Sequence, residues 1–228
     1  MIKQKRLMLS SLIASVTVIS MLLSSIVPVS ADPTTLSDEE IAGILFMREE
    51  EKLARDVYLT FADFHPTESI FSNIAASEQR HMDSMKRIID AYDLVDPVQD
   101  NAIGVFADES LQDLYTALVE QGSQSVIDAL QVGATIEEID ILDIKEYLDI
   151  TDNWMILRIY NNLLDGSENH LRGFVGELSV LGVEYQPQYL DSTTYESIID
   201  ADSDSGHNGP IWSEFVDWMK GRIRSRHR

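Results

Sequence analysis

The sequence predicts an all-α fold: a bundle of four long helices with a short extra helix and an irregular C-terminal extension. Three observations carry this. Every long periodic segment repeats at 3.6 residues and none alternates at 2. Each of the four long apolar stripes is interrupted near its middle by an acid or a histidine. The 197 residues from Asp32 to Arg228 suffice for one domain with a sizeable core.

Residues 1–31 stand outside that fold. Lys3, Lys5 and Arg6 form a positive start, Leu7 to Val27 is mostly apolar, and Val29-Ser30-Ala31 offers small residues for cleavage. This reads as a secretory signal peptide cut after Ala31, with an uncleaved membrane anchor as the alternative. The secreted or extracytoplasmic chain is strongly acidic. Removing three positive charges and no acid takes the formal net charge from −22 to −25. Such a surface argues against nucleic-acid binding and attracts cations.

The first long helix opens at the capping box Ser37-x-x-Glu40 and is expected to run to about Phe64, where His65-Pro66 ends it. Phe46, Leu53, Val57 and Phe61 share a face, with Met47, Ala54 and Tyr58 on its flank and Arg48, Lys52 and Arg55 opposite. In the triple acid Glu49-Glu50-Glu51, Glu50 falls nearest the centre of the apolar face. Glu51 lies at its edge and Glu49 toward solvent.

The second helix spans roughly Glu68 to Tyr92. Its stripe is Phe71, Ile74, Glu78, His81, Met85, Ile88 and Tyr92, so a carboxylate and an imidazole interrupt an apolar line on one face. Asp96-Pro97 starts a loop to Asp108, and a short helix through Leu111, Leu114, Tyr115 and Leu118 ends at Gly122. Ser123 is expected to cap the third long helix, which reaches about Leu148. Its stripe is Val126, Leu130, Gly133, Glu137, Ile141, Ile144 and Leu148, with Asp140 on the same side and Glu138 turned toward solvent near Lys145.

Asp152 or Asn153 caps the fourth, about Trp154 to Leu181, with Gly182 as its stop. Its stripe is Ile156, Ile159, Leu163, Ser167, His170, Phe174, Leu178 and Leu181, and Glu168 lies off it. Tyr185 to Tyr195 then reads as an extended wrap and Asp200 to Pro210 as a linker. The alternation Asp200, Asp202, Asp204 hints at a calcium loop, but its glycine comes one place late and Ile211 holds the twelfth position. A basic tail ends the chain (Lys220, Arg222, Arg224, Arg226, Arg228), suited to weak contact with an anionic surface or to plain solvation.

Buried carboxylates need compensation. One interrupted stripe is ordinary. Four of them, carrying two histidines and several acids, are satisfied together by a shared cation. With no cysteine, any metal must be held by oxygen and nitrogen, and disulfides, thiolate zinc and iron–sulfur clusters are excluded.

The residues also resemble known families. Glu51-Lys-Leu-Ala54-Arg-Asp-Val-Tyr58 resembles the first helix of rubrerythrins and other ferritin-like proteins, and Phe71 to His81 resembles the rubrerythrin second helix. The phrases FMREEEKLARDVY, NIAASEQRHMDSM, GATIEEIDILDI and GSENHLRGF resemble the ferritin-like family DUF2202 still more closely. The resemblance covers the segment 32–195, leaving 196–228 as linker and tail.

What the resemblance implies is a ferritin-like four-helix bundle with iron or manganese, one ion or two, and no haem. Its ligands would be Glu51 (Glu50 as the alternative), Glu78, His81, Glu137 and His170, with Tyr58 as a nearby hydrogen-bond donor. Glu78 and Glu137 would bridge. Ser167 stands where the di-iron pattern asks for Glu, and Asp140 is the candidate replacement. The lack of cysteine rules out electron transfer from a rubredoxin iron within the chain. Expected functions are a di-metal oxidase, peroxidase or ferroxidase, or a binding module whose metal site has degenerated. A homo-dimer stays open.

Overall fold

The computed structural model describes residues 35–201, and within them every regular element is a helix. The expected signal peptide, the calcium-like loop beyond Ala201 and the basic tail lie outside the described residues.

Six helices follow in order: α1 (Asp38–Phe64), α2 (Ser69–Ala91), α3 (Glu109–Gly122), α4 (Val126–Ile150), α5 (Trp154–Val180) and α6 (Ser192–Ile199). α1 starts at the predicted capping box, in which the Ser37 hydroxyl accepts from Glu40 N and Glu40 accepts from Ser37 N at 2.8 Å. α5 ends where glycine was expected to stop it. Gly182 has φ 76°, Val183 N donates to Leu178 O and Gly182 N to Ser179 O, so a left-handed residue closes the last turn. α2 ends the same way with Asp93 at φ 52°.

Two boundaries differ from expectation. Ser125, not Ser123, caps α4 by accepting from Asp128 N, because Ser123 is spent ending α3. The C-terminal wrap turns helical at α6, where the Asp191 carboxylate accepts from Thr193 N and Thr194 N and supplies a cap.

Short connections make α1 and α2 an antiparallel hairpin, and likewise α4 and α5. The hairpins join through α1 against α4 and α2 against α5, so the four long helices close a ring. α3 packs on α1 and α4, and α6 on α5. One end of the interior is aromatic. Phe61 meets Phe71 at 5.6 Å, Phe71 meets Phe174 at 6.1 Å, and Tyr58 meets Phe174 at 5.2 Å. Gly122 and Gly133 admit these rings, since a Cβ there would sit 2.1 Å from Phe61 and 2.6 Å from Phe174. No described helix is long and apolar enough to cross a membrane.

α1 departs most from a simple amphipathic helix, because every residue from Met47 to Tyr58 is buried. The loop between α2 and α3 covers the side expected to face water. Glu49 accepts from Ala107 N at 2.6 Å instead of pointing to solvent. Lys52, fully buried, donates to Asp56 and to Ala102 O at 2.8 Å. Phe46, expected on the apolar face, is only half-buried, whereas Met47 and Tyr58, expected on its flank, are fully buried.

Glu138 is likewise buried rather than exposed. Its carboxylate accepts from Tyr185 OH at 2.6 Å and from the backbone N–H groups of Gln188, Tyr189 and Leu190. It thereby fastens the C-terminal segment to α4. Leu181, expected in the α5 stripe, is half exposed.

Candidate metal centre

The mid-length interruptions of the four stripes meet in the interior. α1 brings Glu51, α2 brings Glu78 and His81, α4 brings Glu137 and Asp140, and α5 brings Ser167 and His170. All are at least nine-tenths buried. Their convergence follows from the ring: i, i+3 spacing puts Glu78 and His81 on one face of α2, and antiparallel neighbours meet at mid-length.

Glu78 is central. Its Oε2 lies 2.8 Å from His81 Nδ1, and its Oε1 lies 2.7 Å from His170 Nδ1. Glu51 Oε2 is 3.1 Å from His81 Nδ1, and Glu137 Oε2 is 3.4 Å from His170 Nδ1. The imidazoles stack with centroids 5.5 Å apart. Two three-residue groups result, Glu51–Glu78–His81 and Glu78–Glu137–His170, sharing Glu78. In each, the ligand atoms lie within 4.8 Å of one another.

Several close approaches are not hydrogen bonds. Glu78 Oε1 and His170 Nδ1 lack a hydrogen-bond partner despite their proximity, and so do Glu51 Oε1, Asp140 Oδ1 and Glu50 Oε2. Buried polar atoms are rarely left so. Atoms that crowd together without donor–acceptor alignment are arranged as ligands are, around a common point. A set of carboxylate oxygens and imidazole nitrogens fits a hard or borderline divalent cation.

The electrostatics agree. Five buried acids, Glu50, Glu51, Glu78, Glu137 and Asp140, are gathered here with only two imidazoles. Burial and Asp140 push the Glu51 carboxyl far above its usual range, with His81 opposing. Burial and Glu137 push Asp140 up to about 8. Burial raises Glu137 too, against the pull of His170. Burial acts against ionised Glu78 as well, but His170 and His81 hold it well below the ordinary value. Burial disfavours the His170 cation, yet Glu78 and Glu137 carry it up to about 10. Glu51 and Glu78 do the same for His81. Without metal, the cluster therefore retains protons that a cation would replace.

Glu51 rather than Glu50 faces the histidines. Glu50 is buried beside it, toward Asp140 and Asp143. Ser167 does not open a gap: its hydroxyl donates to Asp140 Oδ2 and to Leu163 O at 3.0 Å. A carboxylate oxygen of Asp140 thus stands against position 167, where the resemblance asks for a glutamate. Tyr58 OH lies 2.5 Å from Glu137 Oε1 and holds that carboxylate from behind. Glu168 stands apart, 4.0 Å from Lys145.

Sequence reasoning missed Gly166. A Cβ there would sit 2.5 Å from His81 Cε1 and Nε2, so glycine at this point of α5 leaves room for the His81 ring. A glycine one residue before the expected ligand position was the available signal.

The Uncharacterized protein domain (DUF2202) family matches residues 40–202, which contain the whole centre. The chain is similar to Uncharacterized protein MJ0754 of Methanocaldococcus jannaschii, 48% identical over 173 residues, covering 76% of this chain and 93% of that one. It is also similar to the crystal structure of hypothetical protein MJ0754 from Methanococcus jannaschii, with a TM-score of 0.73, 48% identity and coverage of 75% of this chain and 97% of that one. On both the family match and the extent of this likeness, the chain belongs to the DUF2202 family.

Proposed function

We propose that the protein is a ferritin-like metal protein that binds iron or manganese between its four long helices and acts outside the cytoplasm after signal-peptide removal. The observation that carries this is Glu78, whose two carboxylate oxygens reach separate histidines in two ligand groups of three residues each. Such a carboxylate suits a bridge between two ions. Glu51 and His81 would complete one position, and Glu137 and His170 the other. Carboxylate and imidazole donors suit manganese and iron, whereas thiolate-seeking ions find nothing here.

Iron or manganese in that setting supplies redox chemistry toward O₂ or peroxide, and ferrous iron would itself be the substrate of a ferroxidase. The chain's own residues fix the environment. Tyr58 orients Glu137, Ser167 orients Asp140, and the aromatic end of the core excludes water from one side. Metal analysis tests the reading: chelator-treated protein dialysed against Mn²⁺ or Fe²⁺ should retain one or two ions per chain, and retention of none would overturn it.

A second reading is a non-catalytic secreted module on the same scaffold. It is favoured by Ser167, which replaces an expected carboxylate and turns Asp140 toward itself. Metal retained without O₂ or peroxide consumption would select this reading.

A further inference from the structure

A line of carboxylates leads out of the centre. On α4, Glu137, Asp140 and Asp143 stand at i, i+3 and i+6, so they share one face. Their exposure rises along that line, from 1% at Glu137 to 5% at Asp140 to a half-buried Asp143. Across from them on α1 stands Glu50, next in sequence to Glu51. It is 7% exposed, and burial, with Asp140 and Asp143 nearby, opposes its ionisation.

Two oxygens on this line have no partner, Glu50 Oε2 and Asp140 Oδ1. Among the described residues, no lysine or arginine is paired with Glu50, Asp140 or Asp143. The nearby Lys145 faces Glu168 instead. A resident ion is not the obvious occupant, since Glu50 belongs to neither group of three converging ligand atoms. Yet burying Glu50 with an orphaned oxygen opposite two further acids is costly for a purely structural residue. The cost has a use if cations pass.

We propose that Glu50, Asp140 and Asp143 form a delivery path that carries a divalent cation from solvent to the buried centre. The inference rests on the proposed metal binding and adds the route. Asp143 meets the hydrated ion at the half-buried mouth. Glu50 Oε2 and Asp140 Oδ1 replace waters further in, and Asp140, one turn from Glu137, hands the ion to the ligand groups. Each stop offers too few ligands to trap the ion, as passage requires.

A path residue and a ligand residue differ in kinetics. Neutralising a ligand weakens equilibrium binding, mostly through faster release. Neutralising a path slows uptake and release together and leaves affinity unchanged. The test uses full-length protein cleared of metal and then mixed with Mn²⁺, with the loss of the free-ion electron paramagnetic resonance signal giving the uptake rate. Chelator challenge of loaded protein gives the release rate. Glu50→Gln and Asp143→Asn are compared with the unaltered chain, and Asp143→Asn, at a half-buried position, guards against misfolding of the first variant.

The expected result is uptake and release each slowed about tenfold or more, on the scale that electrostatic steering sets for on-rates, with the final stoichiometry and Kd unchanged. Unaltered rates in both variants would overturn the path. So would lowered stoichiometry or a weakened Kd in Glu50→Gln, which would make Glu50 a ligand. Failure of the unaltered protein to take up Mn²⁺ or Fe²⁺ would instead overturn the metal reading itself.

Discussion

The two sides of α1 bury similar residues to opposite ends. On the side under the α2–α3 loop, Arg48 meets Asp96, Lys52 and Arg55 meet Asp56, and Glu49 is buried along with them. Arg48 reaches Asp96 through two nitrogens at 3.2 Å, and Arg55 Nη2 reaches Asp56 Oδ1 at 2.7 Å. Loop N–H groups of Gly104 and Ala107 complete Asp56 and Glu49, and the Lys52 ammonium lies 4.3 Å from the Phe106 ring centroid. Three cations balance three anions.

On the other side Glu50 and Glu51 face more acids, two imidazoles and several unpartnered oxygens. Burial alone therefore does not mark a functional charge. What separates the sides is whether the protein supplies the opposite charge itself or leaves it to be brought.

The largest effect should come from breaking the balanced side. Asp56→Ala leaves Lys52 buried without its anion, and removing one partner of a buried pair costs roughly 3–5 kcal/mol. Urea unfolding should show the loss with or without metal present. A variant as stable as the parent would mean that the loop, and not the ion pairs, holds this side together.

On the acidic side the proposed ion would supply the missing charge. At a free metal concentration about a thousand times Kd, binding to the folded state alone adds about 4 kcal/mol. For a chain of this size that raises Tm by roughly 8–16 °C. The double variant His81→Ala with His170→Ala should lose the rise while keeping its helical circular dichroism. A rise that survives the double change would place the ion elsewhere.

These predictions also show what could be read from the sequence. Glu78, His81, Glu137 and His170 were legible because each interrupts a stripe of period 3.6, a pattern local to one helix. α1 was not legible in the same way. Its outward charges are buried by a loop whose Asp96, Ala102 and Ala107 lie about fifty residues away in sequence. With both sides buried, periodicity no longer says which acid faces the histidines, and only the resemblance favoured Glu51. Glu138 escaped for a related reason: its partners are mainly backbone N–H groups of residues 188–190, which carry no side-chain signature. The C-terminal wrap hid α6 because eight residues give too short a periodic run, although Asp191 was there to cap it.

A smaller effect should appear as a pH slope. In the metal-free protein Asp140 keeps its proton to about pH 8 and His170 to about pH 10. The unfolded chain gives up the same protons near 3.8 and 6.5. The folded state thus binds more protons across that window, and its stability falls as pH rises. Metal displaces those protons, so its affinity, and the extra stability of the loaded protein, should increase over the same range. Thermal unfolding at pH 6 and pH 9, with and without Mn²⁺, reads both slopes. Parallel slopes would mean that the cluster does not exchange protons for metal.

The finest test of the contrast is a difference of sign. Glu51→Gln keeps the shape of the side chain and removes its capacity for charge. In the metal-free protein Glu51 has one oxygen without a partner, and its ionisation is opposed by burial and Asp140. An amide needs no proton to remain neutral there, so the variant escapes a penalty that grows for the parent as pH rises. At pH 8 metal-free Glu51→Gln should match or exceed the parent by about 1 kcal/mol, near the worth of one unit of pKa.

The same acid-to-amide change at Asp56 should destabilise, because Lys52 and Arg55 lose the anion they share. With metal present the order at position 51 should invert, since the amide is a poorer ligand and the loaded parent gains more. Urea midpoints for the parent, Glu51→Gln and Asp56→Asn, each with Mn²⁺ and with chelator, give the six values needed. If Glu51→Gln weakens the metal-free protein as much as Asp56→Asn does, then Glu51 is a structural partner of His81, and the two sides of α1 are the same kind of surface after all.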